Sequence, residues 1–477
     1  MDQVDFLELY AGAAPATGVT TWLVDVLRAA IAGGSLPAGA RLPATRVLAA
    51  ELGLSRGVVV EAYQRLTDEG LLSGRAGAGT VVIAPASAPA PKESRPRDTS
   101  GMWLPLPPSA GVELDLSPGV PDLSAFPRAA WLRAERIVLA GASNADLGYG
   151  DPRGSPRLRG ELAGWLARTR GVRASADDLI VTGGVAQALA LLSQSLRARG
   201  VSAVAVEDPG SRGTREELAH WGLQTVPIPV DDQGIRVDDL DAAGLQTVLL
   251  TPAHQFPTGV VLSPARRRAL LDRPALQDGS GLIIEDDYDA EHRYDRAPVA
   301  ALQGSGPELV AYAGSVSKSL APGMRLGWLI APRRLHAELV TAKHASDLGN
   351  PALPQLVFAH LLAGGDYERH LRTVRRRQRA RRDALLRGLA EHLPSARVEG
   401  VAAGLHLLIT LPGAGDDTEL ARRIERTGVR VHPLSWHRLL DGPPGLVIGY
   451  AALPPDRLLE AARRIGRALG RREHRAR

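Results

Sequence analysis

The sequence predicts a multidomain chain: an N-terminal winged helix-turn-helix followed, across a linker, by a much larger α/β domain. Three observations carry this. At 477 residues the chain exceeds what one hydrophobic core ordinarily organises. Residues 84–112, "APASAPAPKESRPRDTSGMWLPLPPSAGV", are rich in Pro, Ala and Ser and lack apolar periodicity, which marks an extended spacer. Beyond it, short apolar runs alternate with helical patterns, the signature of β-α units. The expected division is 1–83, 84–112 and 113–477.

In the first segment Leu23, Leu27, Ala30 and Ile31 share one helical face before "GGSLPAG" breaks the chain. A short second helix turns Leu48 and Leu52 inward and ends at Gly53. Ser55 caps a third helix, in which Val59, Ala62, Tyr63 and Leu66 recur at i, i+3, i+4, i+7 spacing. The turn "LGLS" makes the last two a helix-turn-helix, and "GLLSGRAGAGTVVI" reads as a two-stranded hairpin with Gly77 and Gly79 at its tip. Arg46, Arg56 and Arg75 lie off the packing face, where guanidinium groups reach phosphates or guanine edges. Residues 1–83 nevertheless hold six arginines against eight acidic residues, so the segment is not basic as a whole. The pattern alone suits either a DNA-binding or a protein-interacting winged helix.

Composition narrows the function classes. With 44% apolar and 23% charged residues the chain reads as globular. The absence of cysteine excludes disulfides, thiolate metal sites and a cysteine nucleophile, and fits the cytoplasm. "MDQVDFLELYAGAAPATG" is acidic where a secretion signal is basic, and no apolar run approaches the roughly 18 residues of a membrane span. Twelve scattered histidines form no HExxH-like spacing, so no metal is expected. The net charge of +5 neither demands nor excludes an acidic partner.

Lys+Arg totals 57, yet lysine occurs only at positions 92, 318 and 343. A guanidinium cannot form a Schiff base, because its pKa is far too high to yield a neutral nucleophile, so amine chemistry forces a lysine. In "YAGSVSKSLAPGMRLGW", Ser315, Ser317 and Arg325 surround Lys318 with two hydroxyls and a permanent cation, a set that suits a dianionic phosphate. If Lys318 carries pyridoxal phosphate, the chain must also supply a phosphate cup, a carboxylate for the pyridinium nitrogen and a partner for the ring hydroxyl. "DDLIVTGGVAQALALLSQSL" reads as strand, turn and helix, with the N–H groups of Gly183, Gly184 and Val185 facing an anion. "GLIIEDDYDAEHRY" runs a buried strand into acidic residues at its carboxyl end, placing Asp286 for the ring nitrogen and Tyr288 for the ring hydroxyl. Taken singly, a surface lysine and an exposed acidic loop are the plainer readings of these fragments.

The run "LPAGARLPATRVLAAELGLSRGVVVEAYQRLTDEGLLSGRAGAGT" resembles the GntR-type winged helix over nearly its whole length. By that resemblance Arg46, Ser55, Arg56 and Gly77 contact operator DNA, while Gly57, Val58 and Val60 stand where relatives often carry polar residues. The series Tyr149, Gly183-Gly184, "EDPG" at 207–210, "PTG" at 257–259, "EDDY" at 285–288 and "SxSK" at 315–318 resembles the fold type I aminotransferases from about Leu114 to the C-terminus. The two halves in this order are similar to the MocR/GabR subfamily of transcriptional regulators.

The resemblance implies an α/β PLP-dependent transferase fold (type I) with a smaller C-terminal α+β subdomain. It implies Lys318 as the Schiff-base lysine, Asp286 as the pyridinium partner and Tyr288 as the hydroxyl partner. Gly183, Gly184, Val185, Ser315, Ser317 and Arg325 would hold the phosphate. Tyr149 would reach the phosphate of a neighbouring subunit, hence a homodimer, and Gly119 would line the amino-acid side. The implied function is a regulator that binds operator DNA and senses pyridoxal 5′-phosphate, or an amine or amino acid that condenses with it. An active aminotransferase with an accessory winged helix is the alternative.

Three departures bear on that choice. Ser211 replaces the aromatic residue usual after "EDPG", Phe256 replaces the asparagine of "NPTG", and Leu446 stands near the position of a carboxylate-clamping arginine. The seven arginines between 372 and 382 read as a solvated helix face or as a second DNA-contacting surface.

Overall fold

The computed structural model describes residues 15, 17–75, 79–83, 111–277, 279–289, 291–294, 299–411, 413 and 415–470. Residues 84–110 of the expected spacer at 84–112, and the wing-tip Gly77, lie outside the described residues. The chain divides into two units, Met1–Met102 and Trp103–Arg477.

In the first unit, helices α1 (Val19–Ala32), α2 (Thr45–Glu51) and α3 (Arg56–Asp68) bury Leu23, Leu27, Leu48, Val59, Ala62 and Leu66 in one core. Ser55 caps α3 by accepting from Val58 N at 3.4 Å, which satisfies one of the N–H groups a helix start leaves unpaired. Strands Leu72–Arg75 and Gly79–Val82 pair antiparallel, and Arg41–Leu42 adds to the free edge of the latter. The wing is thus a three-stranded sheet rather than the expected two-stranded hairpin. The extra strand has two residues, too few for alternation to show in sequence.

The second unit is built on an eight-stranded sheet. Its order is Leu179–Thr182, Gly327–Ile330, Val310–Ser315, Leu282–Asp287, Thr247–Leu250, Ala203–Asp208, Gln224–Asp231 and Gly234–Ile235. Gly327–Ile330 runs antiparallel to both neighbours and Gly234–Ile235 antiparallel to its one; the other pairings are parallel. Both faces are covered, one by helices Arg128–Gly141, Pro156–Arg170 and Ala352–Ala363, the other by Val185–Ala198 and Arg333–Asp347. Burial on both faces explains the near-continuous apolar runs of the central strands.

A smaller lobe follows. Its four-stranded antiparallel sheet, ordered Arg397–Glu399, His406–Thr410, Gly445–Gly449 and His432–Pro433, packs on Asp366–His392 and Pro455–Gly470. Leu114–Asp115, at the start of the unit, pairs in parallel with Val429–Arg430 of this lobe. The α/β fold with a smaller C-terminal α+β lobe is as expected.

Candidate cofactor site and DNA-binding face

Strand ends converge at one edge of the large sheet. Ser315 stands opposite Gly327, and Gly327 opposite Thr182, the last residue before the Gly183–Gly184 turn. A Cβ on Gly327 would lie 2.7 Å from Gly184 Cα, so only glycine lets the turn close on the sheet. Helix Val185–Ala198 starts here, its first N–H groups facing outward. Arg325, a non-glycine residue held at φ 47°, brings its guanidinium to the turn: a Cβ on Gly184 would lie 3.4 Å from Nη1. Ser315 is buried and its Oγ accepts from Ser317 N at 3.3 Å. The anion-binding residues expected from sequence therefore gather at one helix N-terminus, where backbone donors and a fixed cation suit a phosphate.

Lys318 Nζ donates to Gly119 O at 2.6 Å. Gly119, at φ 83°, leaves the room, since a Cβ there would come within 3.3 Å of Nζ. Burial lowers the Lys318 pKa, opposed by Asp286 and Asp289. The neutral amine that attacks a carbonyl is correspondingly easier to reach. Lys343 has a plainer role: it is buried and pairs with Asp347 at 2.6 Å.

The adjacent aspartates of Leu282–Asp287 point to opposite faces, as strand alternation requires. Asp287 accepts from Arg170 Nε at 2.7 Å and from the Tyr312 hydroxyl. Asp286 Oδ1 is enclosed without a hydrogen-bond partner among the described residues, in a cavity lined also by Glu207, Ser211, Thr251 and Phe256. Burial, with Asp287 and Asp289 nearby, pushes its pKa up to about 7, against a lowering pull from Lys318. A protonated ring nitrogen is donor and cation at once, so it meets both deficits of this carboxyl. Pyridoxal 5′-phosphate, which offers an anion at one end and a basic ring nitrogen at the other, fits these residues.

Tyr288 Oη lies 3.1 Å from His254 Nδ1, which is itself 2.9 Å from Asp289 Oδ2. Burial, then Asp289, holds the Tyr288 hydroxyl well above its usual pKa.

Phe256 lines the same cavity and is backed by an apolar cluster. Phe256 packs against Leu408, Leu434 and Val447, with its ring 4.9 Å from His406 and 5.1 Å from His437. Burial pushes His406 down to about 4 and His437 well below the usual histidine value, so both are neutral at pH 7. Leu446 is corrected by the structure: it turns into the core of the small lobe beside Leu407 and Ile409, and its neighbour Val447 faces Phe256. Two-residue periodicity makes that one-position difference decisive. Arg215 lines the cavity, but its guanidinium donates to the carbonyls of Gly210, Trp436 and His437. Ser211 caps helix Arg212–His220 by accepting from Thr214 N at 3.2 Å.

Tyr149 stands apart, 86% exposed on the surface of its own chain. The arginine run lies on Asp366–His392 and is not uniformly solvated. Arg377 and Arg381 both pair with Asp122 at 2.8 Å, Arg375 donates to Glu291 O, and Arg372, Arg376 and Arg379 are exposed. In the first unit Arg46 and Arg56 are exposed, as are Gly57 and Val60 on α3, whereas Val58 packs partly into the core. The sequence alone does not single out Arg170, His254, Asp289 or Gly327, and gives Glu207 only as the start of "EDPG". The alternation of carboxylates and apolar residues in "IIEDDYD" is the available signal for Asp289.

The model of bacterial regulatory proteins of the gntR family matches residues 21–82, and that of aminotransferase class I and II matches residues 113–465. The chain is 32% identical over 453 residues to the probable rhizopine catabolism regulatory protein MocR of Rhizobium meliloti, covering 92% of this chain and 91% of that one. The chain belongs to the MocR type of GntR-family transcriptional regulators. Another MocR-type relative is the HTH-type pyridoxine biosynthesis transcriptional regulator PdxR of Corynebacterium glutamicum, at 33% identity over 93% of this chain and 94% of that one. Among solved structures, the multiple substrate aminotransferase of Thermococcus profundus matches with a TM-score of 0.70 and 25% identity, over 77% of this chain and 93% of that one. A MocR-type chain pairs a DNA-binding winged helix with an aminotransferase-like, pyridoxal-phosphate-type domain, and this chain is a transcriptional regulator of that design. No helix among the described residues is long and apolar enough to cross a membrane.

Proposed function

We propose that this MocR-type regulator reads pyridoxal 5′-phosphate, or an amine that condenses with it, as a cytoplasmic homodimer on operator DNA. When bound, the cofactor supplies an aldehyde that condenses with a neutral amine and a ring that withdraws electrons. Lys318 offers that amine. Asp286 holds the ring nitrogen protonated, Tyr288 orients the ring hydroxyl, and Gly183, Gly184, Val185, Ser315, Ser317 and Arg325 bind the phosphate. The enclosed, unpartnered Asp286 Oδ1 facing the cavity carries this reading.

A sensor is favoured over a working aminotransferase by Phe256 at the cavity, backed by Leu408, Leu434 and Val447, a cluster that brings no cation to an amino acid's carboxylate. Tyr149, with exposed Leu132, Ile137, Leu139 and Leu147 near it in sequence, supports pairing with a second subunit that receives the tyrosine. Arg46, Ser55 and Arg56, with Gly77 at the wing tip, are assigned to DNA. Ligand that prefers one arrangement of the linked units shifts operator affinity by that difference alone.

The test is a titration of pyridoxal phosphate, then of candidate amines, into the full-length protein while the visible band of the bound cofactor and operator retardation are recorded together. Both should change in step, and Lys318→Ala should lose the band. Operator affinity indifferent to every ligand would defeat the sensor, and sustained turnover of amino acids with 2-oxo acids would favour the enzyme.

A further inference from the structure

A buried cluster beneath Tyr288 lies outside the residues assigned to the cofactor. His254 Nδ1 lies 2.9 Å from Asp289 Oδ2 and 3.1 Å from Tyr288 Oη. One ring nitrogen has at most one hydrogen, so His254 serves both oxygens as a shared donor. A tyrosine that accepts from behind keeps its own hydroxyl proton for the opposite side. Asp286, which also acts on Lys318, is close enough to influence that hydroxyl.

The cluster is sealed by the small lobe. Gly404, at φ 75°, passes so close that a Cβ would lie 2.1 Å from His254 Cε1 and 2.8 Å from Asp289 Oδ2. Its carbonyl accepts from the hydroxyls of Tyr294 and Tyr450, and its N–H donates to His292 O at 2.8 Å. Water is thereby kept from a carboxylate only 2% exposed. Such a carboxylate persists as an anion only with donors and cations against it.

We propose that His254 and Asp289 are positioning residues that direct the Tyr288 hydroxyl proton toward the bound cofactor and so set the pH midpoint of its visible band. The inference rests on the assignment of Lys318 and Tyr288 as cofactor contacts. The titratable groups facing the cluster are Asp286 and Glu207 from the large sheet, Lys318 beyond Val310–Ser315, His292 and Tyr294 after Asp289, and His406 and Tyr450 from the small lobe. Burial pushes His292 and His406 to about 4, so they carry no charge near neutrality. Burial raises the Asp289 carboxyl, but His254, with His406 and His292 once protonated in acid, holds it below the usual carboxylate range.

The two residues predict shifts of opposite sign. Without the His254 donor, Tyr288 turns its proton to Asp289, the cofactor's ring oxygen loses a donor, and its protonated form gains. Without the Asp289 charge, the protonated form loses a nearby anion. The cofactor-loaded full-length protein is titrated from acid to alkaline pH by absorbance. His254→Phe should raise the midpoint and Asp289→Asn lower it, each by about one pH unit, while His254→Asn, which keeps a donor near the Nδ1 position, should stay at the wild-type value. Unchanged midpoints in His254→Phe and Asp289→Asn overturn the inference and leave the cofactor assignment standing. A visible band that persists in Lys318→Ala overturns both.

Discussion

The two sides of the cofactor cavity are built to different standards. The side that carries Gly183, Ser315, Lys318, Asp286 and Tyr288, the residues proposed to hold the cofactor, is polar, with glycine where backbone approaches backbone, as at Gly327 against Gly184. The other side, Phe256 backed by Leu408, Leu434 and Val447, has neutral histidines behind it and an arginine already engaged with three carbonyls. One side suits a phosphorylated ring, and the four residues of the Phe256 cluster carry no charge for a carboxylate. Holding a cofactor and recognising an amino acid are separable tasks, and the proposed sensor relies on the first.

Substitutions on either side test that contrast. The largest effect should come from Asp286→Asn, which removes the ionisable partner of the ring nitrogen; losing one member of a buried charge pair costs at least about 2 kcal/mol, so pyridoxal phosphate affinity should fall roughly thirtyfold, measured by the visible band. The same variant checks the pKa of Asp286 in cofactor-free protein. Its native pKa of about 7 is raised above the unfolded value, so ionisation opposes folding. The penalty is absent below the unfolded pKa and complete above the native one. Thermal unfolding should show Asp286→Asn gaining stability relative to wild type as pH rises from 4 to about 7.

On the apolar side, Val447→Arg should create the missing recognition. A charge-assisted contact of about 1.5–3 kcal/mol corresponds to about tenfold to a hundredfold tighter binding of an amino acid relative to the amine lacking its carboxylate. Equal affinities would show that this strand position does not face the ligand. The smallest effect belongs to the other unit: Arg56→Ala should weaken operator binding evenly across sequences and reduce the dependence on salt by about one counterion. Undiminished retardation by the variant would move the DNA face away from the start of α3.

Periodicity, composition and spacing made much of this molecule legible. Helix-period apolar positions placed Leu23, Leu27, Val59, Ala62 and Leu66 in one core, because a helical face must bury what it repels from water. The scarcity of lysine marked Lys318, because imine chemistry cannot use a guanidinium. The carboxyl ends of buried strands marked Asp286 and the Gly183–Gly184 turn, because parallel sheets collect ligands there.

What stayed hidden depends on contacts between distant segments. A strand of two residues, Arg41–Leu42, has no pattern to read. The difference between Leu446 and Val447 is one step of a two-residue period whose phase was settled by the packing of the small lobe. The partner that claims the neighbouring Asp287 is Arg170, 117 positions away in sequence, a contact no local pattern announces. The union of His254, Asp289 and Gly404 joins three segments separated along the chain. Local sequence specifies which groups are available and how they alternate, while proximity between such segments, and the burial that shifts a proton's affinity, exist only once the chain has folded.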